Sequence, residues 1–197
     1  MTKYSELQNK ILLSISNCCF SIGFTIEASP TFYNTQNDII RILHVDFLNK
    51  KNSSYFNSNT ASFSLNLGVF FNFEEDISNI PKEYDAQIRG HLIKDFRQKS
   101  PMNLKGFSLF HPERRRRDIW WVEPNGINID YLINNATRII EKKAIKWLDK
   151  YSDIDFVIEF LKTKKGTEVW QEGPWIISPI GSQYRIDLID KLKLKKG

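Results

Sequence analysis

The sequence predicts an α+β domain: an N-terminal helix, an antiparallel sheet of about four to five strands, and a helical C-terminal segment. Three observations carry this expectation. Residues 60–71 alternate apolar and polar side chains at period 2, the pattern of a half-buried antiparallel strand. Residues 129–151 hold an apolar stripe at helical spacing. The extended segments fall in a block rather than alternating with helices, which favours an antiparallel sheet over βαβ units. At 197 residues the chain has the length of one domain. Residues 1–127 are therefore expected to form the helix-plus-sheet core, with 128–197 a helical segment packed on the same domain.

Ser5-Glu6-Leu7-Gln8 reads as a capping box, in which the hydroxyl accepts from a free backbone N–H and the Gln reaches back. Leu7, Ile11, Ile15, Cys18 and Ile22 then recur at helical spacing up to Gly23, a left-handed stop, so a helix is expected over about 4–21. Residues 24–33 read as a short extended piece broken by Pro30. In 38–48, Ile39, Leu43, Val45 and Phe47 share one side, while Ile40, Ile42, His44, Asp46 and Leu48 share the other. Apolar residues on both sides mark an interior strand. Residues 50–59 are polar and expected to form a loop.

In 60–71 the residues Ala61, Phe63, Leu65, Leu67, Val69 and Phe71 point one way, and Thr60, Ser62, Ser64, Asn66 and Gly68 the other. Gly68 marks a bulge or a close approach. Residues 74–84 are an acidic connector with one helical turn, 88–96 a third strand, 99–112 a loop, and 118–123 a short fourth strand ended by a turn at Pro124-Asn125-Gly126. A long helix capped by Asn128 or Asp130 runs to Tyr151. A second, capped by Asp153, carries Ile154, Val157, Ile158 and Leu161, and a last helix covers about 182–193.

Composition narrows the function classes. Hydrophobic residues at 41% and charged residues at 26% are ordinary for a globular chain. No apolar run reaches the ~20 residues of a membrane helix, and no secretory signal is recognisable, so a cytoplasmic protein with no membrane partner is expected. Cys18 and Cys19 are neighbours whose side chains diverge by about 100° on a helix, so they are expected as reduced core thiols. The net charge of +5 is local: −3 over 1–88, +7 over 89–117 and +1 over 118–197. Such a patch points to an anionic partner.

Two groups of residues could carry binding. Arg114, Arg115, Arg116 and Arg117 present four guanidiniums in a row, which can clamp phosphates or a carboxylate-rich surface, or form a solvated loop. Trp120 follows and could stack on a base. On strand 88–96, alternation puts Arg89, His91, Ile93, Asp95 and Arg97 on one face, either a polar site or the wet face of a sheet. The three histidines, His44, His91 and His111, are not paired at i, i+3 or i, i+4, and no Cys-x-x-Cys is present, so no metal and no cofactor is expected. Asp153, Asp155 and Glu159 are explained by capping and by the outer side of a helix. No phosphate-binding glycine loop, nucleophile elbow or zinc-protease motif occurs.

Three pieces in order resemble a bacterial family, domain-of-unknown-function family 4304: Phe63-Ser64-Leu65-Asn66-Leu67-Gly68-Val69, then His91-Leu92 in a basic strand, then Asp118-Ile119-Trp120-Trp121. The likeness covers about residues 4–124. It implies an N-terminal helix with an antiparallel sheet, and it brings no activity or catalytic residues. Small bacterial domains of this kind suggest, by analogy, immunity or defence-associated interaction proteins. The leading expectation is a non-enzymatic interaction protein that binds an acidic protein through the 89–117 patch. Nucleic-acid binding through the same patch is the first alternative, and an enzyme with a polar site on the sheet face around Arg89, His91 and Arg97 the second.

Overall fold

The computed structural model describes residues 5–28, 30–36, 38–73, 81–96, 116–163 and 178–196. Helix α1 (Glu6–Ser21) starts on the capping box, with Gln8 N–H donating to Ser5 Oγ at 3.3 Å and Ser5 N–H to Gln8 Oε1 at 2.8 Å. Gly23, at φ +84°, turns the chain into β1 (Thr25–Ala28) and β2 (Thr31–Gln36). β3 (Ile39–Phe47) and β4 (Phe63–Phe71) form the longest pair, and β5 (Ile88–His91) and β6 (Ile119–Trp120) complete the sheet. All pairings are antiparallel, in the order β1-β2-β3-β4-β5, with β6 also pairing β4. The α+β architecture is thus as the sequence predicts, with six strands among the described residues where about four to five are expected.

The expected loop at 50–59 contains α2 (Lys50–Tyr55), which Asn49 caps by accepting from Asn52 N–H at 2.8 Å. The C-terminal helices are α3 (Ile129–Ile139), α4 (Ile145–Ser152), α5 (Ile154–Thr163) and α6 (Gln183–Lys196). A π-helical turn, Ile140–Ala144, joins α3 to α4 into one long rod. Its wider turn matches the four-residue spacing of the buried Ala136, Ile140, Ala144 and Leu148.

Helices α1 and α3 to α6 cover one face of the sheet. Phe63, Leu65, Leu67, Val69 and Phe71 of β4, Leu43 and Val45 of β3 and Ile88 of β5 meet Ile11, Ile15, Leu132, Ala136, Leu148, Leu161 and Leu192 in a single core. Burying such side chains stabilises each by about 1.5–3 kcal/mol. The opposite face is only partly covered. There Tyr33, Ile40 and Ile42 pack with Ala86 and Phe70 in a small second cluster. Beyond it, the face carries His44, Asp46, Ser64, Asn66 and His91.

A candidate binding cleft on the open face of the sheet

Antiparallel register aligns Thr31, His44, Asn66 and His91 in one row across β2, β3, β4 and β5. Directly paired residues share a face, and this face is the one opposite α1 and α3 to α6. Each end of the row is closed by a side-chain bond. Thr31 Oγ1 lies 2.8 Å from His44 Nδ1, and His91 Nδ1 donates to Asn66 Oδ1 at 2.8 Å. An amide oxygen only accepts, so the His91 proton sits on Nδ1 and the lone pair on Nε2. The next row holds Asp46, Ser64 and Ile119.

Over these rows lies a cleft of about 300 Å³. Asp46, Ser64, Asn66 and His91 line its floor, Asn49, Asn52 and Phe56 one wall, and Arg116 and Asp118 the other. Asp118 is buried, and Arg116 grips it with Nε on Oδ1 at 3.0 Å and Nη2 on Oδ2, a bidentate pair. Asp46 is exposed and makes no hydrogen bond or ion pair among the described residues. Burial holds His91 below the ordinary imidazole value. Asp118 and Asp46 oppose that shift, while Arg116 and Arg89 add to it. Burial likewise lowers His44, against the pull of Asp46. Both shifts favour the neutral ring, and the described residues that line the cleft include two Asp and one Arg.

The polar strand face of the sequence is real only as far as β5 reaches. Arg89 and His91 lie on the open face, and Gly90 between them faces the helices, 2.6 Å of clearance for a Cβ below Trp147. Beyond His91 the alternation ends. Lys94 N–H bonds to Arg117 O at 2.8 Å, and Asp95 turns away to accept from Asn135 Nδ2 at 2.8 Å and to pair with Arg138, both on α3. Asp95 therefore does not share the face of His91.

Of the four-arginine run, Arg116 enters the cleft wall and Arg117 Nε donates to Lys94 O at 2.8 Å. Arg97, Arg114, Arg115 and His111 lie outside the described residues. Trp120 is not a surface residue. It is fully buried, stacked on Phe63 at 5.4 Å and 8°, and its Nε1 donates to Asn135 Oδ1 at 3.0 Å. Its ring is closed to any base or partner. The cleft residues that sequence reasoning missed are Asp46, Ser64, Asn66 and Asp118. Period-2 alternation already puts Ser64 and Asn66 on the polar side of their strand, and it groups Asp46 with His44. Only the register brings both pairs to His91.

Residues 15–150 match the family model described as Domain of unknown function (DUF4304). The chain belongs to DUF4304. The DUF4304 match takes in all six strands and every residue of the cleft, whereas α5 and α6 lie beyond it. No curated protein and no solved structure matches the chain. Among the described residues, no group of three His, Cys, Asp or Glu could hold a metal ion, and no helix is long and apolar enough to cross a membrane.

Proposed function

We propose that this DUF4304 chain is a non-enzymatic interaction protein whose partner docks on the open face of the sheet, with the cleft receiving one of the partner's side chains. One observation carries the reading: Asp46 and His91 line a recess, and among the described residues neither the Asp46 carboxylate nor His91 Nε2 makes a hydrogen bond. Hydrogen-bonding groups held in place by a sheet lose little entropy when a partner replaces their water. The +7 charge of residues 89–117, which end at the cleft wall, supports an acidic surface on that partner.

The test is co-purification from the source cell, with and without nuclease, using the wild-type chain and the Asp46→Asn/His91→Ala double variant. A stoichiometric protein that survives nuclease and is lost with the double variant is expected. A protein held equally by both forms would place the contact elsewhere. Nuclease-sensitive nucleic acid in its place would favour the alternative use of the basic stretch, whose affinity falls steeply with salt. A second reading, an enzyme, draws on the His91 ring, because a neutral imidazole oriented by Asn66 with a free Nε2 is the form that accepts a proton.

A further inference from the structure

We infer that the side chain entering the cleft is a cation, a lysine ammonium or arginine guanidinium projecting from the partner protein. This rests on the docking reading above. The chain as a whole is basic at +5, yet the described residues that line the cleft include two Asp and one Arg. Among the described residues that line it, the one cation is Arg116, which is held bidentately by Asp118. What the cleft offers inward is acceptors: the Asp46 carboxylate, without an ion pair among the described residues, and the lone pair of His91 Nε2. A carboxylate entering the same space would meet Asp46, Asp118 and that lone pair. An ammonium or guanidinium would instead donate to Asp46 and His91. A volume of about 300 Å³ has room for one long side chain.

Amide-resolved NMR of the full chain near neutral pH, titrated with N-acetyl-arginine amide, N-acetyl-lysine amide and N-acetyl-glutamate amide, tests the inference. The arginine or lysine amide should move the Asn66 side-chain amide and the His91 and Ser64 signals in a saturable way. Asp46→Asn should weaken that binding by about tenfold while leaving the spectrum of the core unchanged. Shifts at the cleft from the glutamate amide alone would overturn the cation and leave the docking reading standing. No shift from any of the three would also overturn it. The docking reading would then still stand if the Asp46→Asn/His91→Ala variant loses its co-purifying protein, and would fall with the inference if it does not.

Discussion

Lys94 shows how much a single buried group can set. Its side chain is fully buried, Nζ donates to Ile119 O, and the Phe96 ring lies 5.7 Å away. Burial pushes its pKa down from 10.5 to about 7. Arg117 adds to that shift, and Asp118 opposes it. The folded chain therefore binds fewer protons than the unfolded chain between those two values. By linkage, stability rises with pH across that window, by up to about 1.4 kcal/mol per unit of pKa difference. Below about pH 7 both states hold the proton and the penalty is fully present. Urea unfolding near pH 7 and near pH 9.5 should give a higher midpoint at the higher pH, and Lys94→Met should abolish most of the difference. A midpoint in the wild-type chain that does not move would contradict the burial of a titrating lysine. Nothing local in Leu92-Ile93-Lys94-Asp95 announces this group, since a lysine in a mixed segment normally faces water. Trp120 misleads in the same way. Next to four arginines it reads as a stacking platform, and only the pairing of Trp120 with Phe63 across β6 and β4 shows that it belongs to the core.

At the scale of elements, signals confined to a few neighbouring residues were legible. The Ser5–Gln8 capping box forms both of its bonds, and Asp153 caps α5 by accepting from Phe156 N–H at 2.9 Å. The alternation of 60–71 is the two-faced β4. Elements that depend on distant partners were not legible. Helix α2 grows from Lys50-Lys51-Asn52-Ser53-Ser54-Tyr55, a run with little helical preference, and it is held by the Asn49 cap and by Phe56 set edge-on to Trp121 at 5.2 Å. Strands β5 and β6 are shorter than their apolar runs because the backbone leaves β4 to pair Lys94 with Arg117. Of the two readings of Gly68, the structure selects close approach: the β3–β4 register runs through it unbroken, and a Cβ there would lie 2.9 Å from Ala86 Cβ. Gly68→Ala should therefore push the 81–87 segment off the open face and cost about 1–3 kcal/mol. Adding Ala86→Gly should recover much of that loss, a coupling that a double-mutant cycle measures directly. Additive losses would mean that the two residues do not touch.

For the molecule as a whole, net charge was the least informative quantity the sequence offered. A total of +5 suggests an anion binder, while the described residues that line the cleft include two Asp and one Arg. That inversion is a property of register, which places residues 46, 66, 91 and 118 together over separations no local pattern spans. The same non-locality ties the C-terminal helices to the sheet. The DUF4304 match ends at residue 150, yet Val157 and Leu161 of α5 and Leu188 and Leu192 of α6 belong to the core that also holds Ile11 and Leu65. Arg185, almost wholly buried, fastens the start of α6 to the end of α5 by donating from Nη1 to Leu161 O at 3.0 Å and from Nε to Ser178 O at 2.9 Å. A core shared in this way melts as a unit. Leu192→Ala, at a fully buried position far from the cleft, should cost about 2–5 kcal/mol and lower the midpoint seen by tryptophan fluorescence and by far-ultraviolet circular dichroism alike. Two separated transitions, with only the dichroism midpoint lowered, would instead show that α5 and α6 come away before the sheet, and that the core of the family region stands without them.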